Sequence, residues 1–316
     1  MNEDDLIARF FAPLAGPGGL GLKDDVALLT SPPGRDLVVT ADALVAGVHF
    51  FSHDPPDAIA AKALRVNLSD LAAKGATPLG FLLSLALPRE AGEAWLEVFA
   101  QGLGADARTY GCPLLGGDTV KTPGPLTLSI TALGTVEPGR APLRTAARAG
   151  DWLYVSGTIG DAALGLQLRL GKGPSLSPSL RDFLLERYLR PQPRLALSPA
   201  LAHARAAMDV SDGLAGDLAK MLRASGVGGV LDLREVPFSD AARAWFAQDA
   251  GGIEIAATGG DDYEVLAAVP PEQAAAFEAA ATVPVTRIGA VGEGTFEVLD
   301  LSGAPARFAR GAYSHF

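Results

Sequence analysis

Carboxylates recur along this chain in short motifs that never cluster. They are Lys23-Asp24-Asp25, Thr40-Ala41-Asp42, Asn67-Leu68-Ser69-Asp70, Gly116-Gly117-Asp118-Thr119, Asp209-Val210-Ser211-Asp212-Gly213, Gly259-Gly260-Asp261-Asp262 and, less distinctly, Gly160-Asp161. Most follow an apolar run, where a strand or helix is expected to stop and a loop to begin, the place where α/β folds present ligand-binding groups. Acids gathered from distant segments repel one another and repel phosphate, so a site built from them calls for divalent cations. Hard oxygen donors suit Mg²⁺, which keeps several waters and bridges to substrate phosphates. The motifs therefore predict a metal-dependent, phosphate-handling site assembled from both halves of the chain.

Each motif also has a plainer reading. On a helix spanning 57–74, Ile59, Ala63, Val66 and Asp70 share one stripe, so Asp70 extends an apolar face. It also falls in the last turn, where the helix dipole disfavours negative charge and an acid needs a cation; the plain alternative is an i,i+4 pair with Lys74. Thr40 and Asp42, after a strand at 37–40, could offer oxygens to one metal, whereas His49 alone reads more readily as a packed or surface residue. Ser211 or Asp212 is expected to cap the next helix, whose exposed N–H groups attract phosphate while Asp209 and Asp212 hold the metal; the plain reading is an N-cap and nothing more. The two Gly-Gly-Asp motifs allow close backbone approach to a ligand, and either alone could be a turn. Arg140 and Arg144 are the best cationic partners for a phosphate.

Two familiar patterns are set aside. Gly16-Pro17-Gly18-Gly19-Leu20-Gly21 matches G-x-G-x-x-G, but no strand precedes it and a proline interrupts it. The P-loop pattern G-x-x-x-x-G-K-[ST] is absent.

The elements that must position these residues mix strands and helices without strict alternation. Strands are expected at 37–40, 81–87, 126–134, 152–156, 207–210, 230–233 and 263–269. Helices are expected at 57–74, 91–110, 213–225, 239–248 and 271–281. This predicts an α+β protein of two domains, an N-terminal mixed sheet with flanking helices and a C-terminal α/β sandwich. The Pro-, Gly- and Arg-rich stretch 137–150 is the boundary candidate, giving domains 1–140 and 148–316. No fixed-period repeat appears. The chain of 316 residues is 48% hydrophobic and 20% charged, with a net charge of −10. That balance argues against nonspecific nucleic-acid binding but not against a nucleotide ligand, because metal ions invert the local field. The single cysteine, Cys112, reads as a small buried hydrophobe. The acidic opening and the short apolar run 79–87 predict a protein without a membrane span, in the cytoplasm.

Taken together the stretches closely resemble thiamine-monophosphate kinases, a family in the superfamily of aminoimidazole ribonucleotide synthetase and selenophosphate synthetase. The resemblance rests on seven ordered motifs running from about residue 6 to Tyr313-Ser314-His315-Phe316. It includes Thr40-Ala41-Asp42 with Gly47-Val48-His49-Phe50, Arg140-Ala141-Pro142-Leu143-Arg144 and Gly259-Gly260-Asp261-Asp262-Tyr263-Glu264. It implies transfer of the ATP γ-phosphoryl group onto the phosphate of thiamine monophosphate, giving thiamine diphosphate. It implies several Mg²⁺ ions on Asp25, Thr40, Asp42, Asp70, Asp118, Asp209 and Asp212, and ATP as co-substrate on Gly117, Asp118, Arg144 and Ser211. His49, Asp261 and Tyr313 would contact the thiamine substrate, and the partner would be a second copy, a homodimer formed through N-terminal sheets. Arg144 and Asp212 are the residues expected to matter most in catalysis. An already ionised phosphate oxygen needs no strong general base, and none is assigned.

Three positions depart from the family pattern: Lys23 where glycine is usual, Ala41 where threonine is common and Asp261 where glutamate is usual. Within the superfamily, the selenophosphate and hydrogenase-maturation enzymes need a reactive cysteine near one terminus, which Cys112 does not supply. An aminoimidazole ribonucleotide synthetase-like enzyme and a nucleotide-binding protein that no longer catalyses are the alternatives.

Overall fold

Along 127–136, Leu128, Ile130 and Ala132 alternate with Thr127, Ser129 and Thr131, and this period of two builds a strand with one buried and one open face. The computed structural model describes residues 3–30 and 32–308. It forms two compact units, one of residues 1–71 and 76–139, the other of 72–75 and 140–316.

The first unit opens with the one-turn helix α1 (Glu3–Leu6) and short irregular helical turns to Leu22. It continues through β1 (Asp36–Val45), α2 (Pro56–Ala73), β2 (Thr77–Leu87), α3 (Glu93–Thr109), β3 (Leu114–Lys121) and β4 (Thr127–Val136). The strands form one mixed sheet in the order β1-β4-β2-β3, antiparallel except for the parallel pair β2/β3. One face buries Leu44, Phe81, Leu83, Leu85, Leu128, Ile130 and Ala132. On that side α2 comes close enough for Leu71 to lie over Gly134. Helix α3 buries Leu96, Phe99, Ala100, Leu103 and Ala107, a 3–4 spacing that makes one apolar stripe. The opposite face carries Leu37, Val39, Leu82 and Val120, exposed by 50%, 56%, 37% and 50%.

The second unit comprises β5 (Trp152–Ser156), α4 (Asp161–Arg169), α5 (Pro178–Leu189), α6 (Ser198–Leu201), β6 (Ala206–Val210), α7 (Leu214–Ser225), β7 (Gly228–Asp232), α8 (Asp240–Phe246), α9 (Gly252–Thr258), β8 (Glu264–Val269), α10 (Ala274–Ala280), β9 (Val285–Gly292) and β10 (Phe296–Leu299). Its six strands run in the order β10-β7-β9-β5-β8-β6. Both faces are covered. Leu153, Val155, Met208, Val210, Leu266 and Ala268 face a core with Leu164, Leu218, Leu222, Trp245 and Ala256. Tyr154, Ala207, Val265, Ala267 and Val269 face another with Leu201 and Phe277. A sheet covered on both sides explains why 265–269 is a continuous apolar run rather than an alternating one. The α+β class expected from the sequence is the one observed.

Some local expectations are corrected. Thr40-Ala41-Asp42 and Gly116-Gly117-Asp118 lie within β1 and β3, not at strand ends, and the strand at 37–40 runs on to Val45. β3, β9, β10, α4, α5 and α9 were not expected, because glycine and acid interrupt the first and the helices carry mixed faces. α2 begins at Pro56, one residue before the expected start, with Asp57 in its first turn. Cys112 is buried as expected, and desolvation pushes its thiol up to about 12. Among the described residues no helix is long and apolar enough to cross a membrane.

Candidate active site

In the first unit, β1 and α2 bring three of the expected metal-binding residues to one side of the sheet. Thr40 pairs with Ala132 and Asp42 with Ile130, both buried, so Thr40 and Asp42 point to the helix-covered face. The Thr40 hydroxyl donates to Asp70 Oδ2, and the Asp42 backbone N–H donates to Asn67 Oδ1 at 3.1 Å. Asn67 is fully buried and donates to the Ala63 carbonyl at 3.0 Å, locking its amide toward the strand. Its position three residues before Asp70 was the available signal for this role, a polar residue in an otherwise apolar helix stripe. Ala41 alternates to the open face, so a hydroxyl there would not join Thr40 and Asp42.

Asp118 stands elsewhere. It pairs with Ser84, which pairs with Ser129 and so with Ala43, placing Asp118 on the open face and on the edge strand farthest from β1. Gly117 beside it has φ +151°, and a Cβ there would lie 1.8 Å from the Leu83 carbonyl oxygen. Only glycine fits that approach. Asp25, with Asp24, lies exposed in the loop after the helical turn Pro17–Leu22. His49 closes the turn after β1: its Nδ1 accepts the Val45 N–H at 3.0 Å, and its carbonyl accepts Lys62 Nζ at 3.0 Å. In the neutral ring the proton therefore sits on Nε2.

In the second unit, the pairing of β6 with β8 sets the two sharpest motifs side by side. Asp209 opposes Val265 and Val210 opposes Glu264. The loops beyond them are joined by Asp261 N–H to the Ser211 carbonyl at 2.9 Å and Tyr263 N–H to the Val210 carbonyl at 2.8 Å. Gly260 permits the contact, since a Cβ there would lie 2.3 Å from the Ser211 oxygen. Asp209 is buried, whereas Ser211, Asp212 and Asp261 are half-buried. The expected cap is overturned. Gly213 is the N-cap of α7 and no side chain caps it. Asp212 instead binds Lys220 Nζ through its carboxylate, and its backbone N–H donates to Asp217 Oδ2 at 2.8 Å. Lys220 also donates to Asp217 Oδ1 at 2.8 Å. Burial pushes the Asp217 carboxyl up in spite of Lys220, and the two carboxylates push the Lys220 ammonium up against its own desolvation. Lys220 and Asp217 were missed; their spacing of three on one helix face was the signal.

The Gly160-Asp161 motif is a structural fastening. Asp161 is fully buried and accepts hydrogen bonds from the Thr158 and Ser239 hydroxyls, tying the start of α4 to the N-cap of α8. Arg140 and Arg144 are exposed on the loop after Gly139. Tyr313 lies outside the described residues.

The donors offered are carboxylate and hydroxyl oxygens, which fit Mg²⁺ chemically. Among the described residues no group of three or more His, Cys, Asp or Glu side chains could hold an ion by itself. Mg²⁺ fits such a sparse arrangement, since it takes one or two carboxylates and completes its shell with water and substrate phosphates.

This fold and these residues define a class. Residues 23–136 match the family model of the AIR synthase related protein, N-terminal domain, and residues 148–301 that of its C-terminal domain. A thiamine-monophosphate kinase of Caulobacter vibrioides is 46% identical over 298 residues, which cover 92% of this chain and 84% of the relative. The crystal structure of thiamine-monophosphate kinase from Stenotrophomonas maltophilia superposes with a TM-score of 0.83 at 39% identity, covering 96% of each chain. A structure described as AaThiL complexed with AMPPCP and TMP gives a TM-score of 0.80 at 30% identity, over 99% of this chain and 94% of that one. The chain belongs to the thiamine-monophosphate kinase family.

Proposed function

We propose that the protein transfers the γ-phosphoryl group of ATP to the phosphate of thiamine monophosphate, giving thiamine diphosphate and ADP. Similarity to thiamine-monophosphate kinases over nearly the whole chain carries this reading. The attacking oxygen is already ionised, so the protein's work is alignment and charge neutralisation rather than proton abstraction.

The residues divide by task. Thr40, Asp42 and Asp70, with Asp25 and Asp118, and in the second unit Asp209 and Asp212, are the oxygens that would hold several Mg²⁺ ions. When bound, these ions neutralise phosphate charge. Asn67 fixes Asp42 from behind. Gly117 and Asp118 meet the nucleotide with backbone and carboxylate, Ser211 and Arg144 meet its phosphates, and Arg144 offsets charge developing during transfer. His49, through Nε2–H, and Asp261 would contact the acceptor, and Tyr313 is assigned to it from the family resemblance alone.

A second copy of the chain covers the open face of the first sheet. The support is the row of exposed apolar side chains at Leu37, Val39, Leu82 and Val120, on a face that no described helix covers. Size-exclusion chromatography with light scattering should return twice the chain mass, and Val39→Asp should shift it to the monomer. A wild-type protein that stays monomeric at micromolar concentration would rule the dimer out. The reaction belongs in the cytoplasm, where ATP is supplied.

The activity test is direct. Purified protein with Mg²⁺, ATP and thiamine monophosphate should form thiamine diphosphate, detected by chromatography, and a chelator should abolish it. ADP without thiamine diphosphate would point to another acceptor. Undiminished ATP affinity in chelator would contradict metal-bridged phosphates.

A further inference from the structure

Four non-glycine residues among those described have positive φ, and two of them, Asp261 at +76° and Tyr263 at +52°, lie in one loop beside Ser211. Non-glycine residues persist in the left-handed region only where their surroundings over-determine the backbone. Here the alternation of the loop does so. Residues 261 and 263 are held outside by their N–H bonds to Ser211 and Val210, while 262 and 264 send carboxylates inward. Asp262 accepts the Gly160 N–H at 2.7 Å and the Ala162 N–H at 3.3 Å.

Glu264 is fully buried and gripped from three sides. Arg187 donates to Oε1 at 2.7 Å, Arg194 donates to both oxygens, and Ser156 donates to Oε2 at 2.6 Å. Arg187 also reaches the Asp262 carbonyl at 3.4 Å, and its buried Nε has no partner among the described residues. Two arginines on one interior carboxylate are poor value for stability alone, since apolar packing would serve as well. Their geometric effect is specific: they fix the residues on either side of the strained Tyr263.

We propose that Glu264, clamped by Arg187 and Arg194 and assisted by Asp262, is a positioning residue that holds Asp261 in its left-handed conformation beside Ser211 and so sets acceptor binding. This rests on the reading of Asp261 as an acceptor contact. The clamp acts through the loop and touches no substrate.

Two readouts test it. In Arg194→Gln, whose guanidinium is partly exposed and whose loss the fold should survive, hydrogen exchange at the Asp261 and Tyr263 amides should quicken at least about tenfold, while the inner β8 amides keep their protection. In the same variant KM for thiamine monophosphate should rise about tenfold, with the affinity for a non-hydrolysable ATP analogue within threefold of wild type. Arg194→Lys, which keeps the charge and one donor, should recover part of both. Unchanged exchange at 261 and 263 overturns the clamp, and so does a parallel loss of acceptor and nucleotide affinity. Quickened exchange with no activity on thiamine monophosphate even in wild type would retain the clamp and sink the acceptor assignment instead.

Discussion

Asp212 shows how much of a residue's role depends on its neighbours. By type and place it looked like a helix cap, yet its carboxylate is turned to Lys220 and its backbone is held by Asp217. An acid held this way is oriented before any ligand arrives, the arrangement that tunes metal-binding carboxylates. Asp212→Asn should lower kcat at least about 100-fold while the thermal midpoint stays within a few degrees; near-normal turnover would contradict a metal role. Lys220→Met leaves the fully buried Asp217 without its cation. That should cost about 2 kcal/mol, a fall of roughly 4–8 °C in melting temperature by differential scanning calorimetry. An unchanged midpoint would mean that Asp217 is satisfied by the Asp212 amide alone.

At the level of elements, β3 is the informative case. Two glycines and an acid could have been a turn, and they form instead the middle of an edge strand paired in parallel with β2. The backbone reason is local: Gly117 sits against the Leu83 carbonyl in a conformation that needs no side chain, so the strand continues through a sequence that would ordinarily break it. Gly117→Ala should force β3 away from β2, lowering stability by about 1–3 kcal/mol and abolishing nucleotide binding together. Chemical denaturation and calorimetric titration with an ATP analogue would check both; normal binding would show that β3 does not approach the nucleotide. α2 and the first half of β1, by contrast, were readable from period and composition. What could not be read was that Asn67 and Asp70 would reach across to Asp42 and Thr40.

On the scale of the whole molecule, the second unit stores a group of buried acids whose protonation couples to folding. Desolvation raises the Asp161 and Asp217 carboxyls and raises Asp262 well above the ordinary range, although backbone donors and Arg187 oppose it at Asp262. The native state therefore keeps protons that the unfolded chain releases above about pH 4. The stability these groups contribute is full below that pH and is lost as pH rises through their native values. Asp232 and Asp300, shifted down by Arg234 and by Ser302, act the other way, and their contribution is lost only as pH falls below about 4. Asp262→Asn removes the titrating carboxyl, so the variant's melting temperature should fall less steeply than wild type as pH rises above about 4. Parallel curves would show that Asp262 stays ionised in the native protein.

Residue type and local spacing were enough to single out the acids, glycines and arginines proposed for the site, and to place the α+β class and most central strands, because apolar periodicity and turn chemistry act over a few residues. Tertiary structure decided what each acid does. Asp161 and Asp262 fasten loops inside the fold, Asp118 stands on the opposite sheet face from Asp42, and Asp212 is held by a lysine eight positions away. Sheet register, burial and pairing across long stretches of chain separate these cases, and none of the three is a property of the neighbouring residues in sequence.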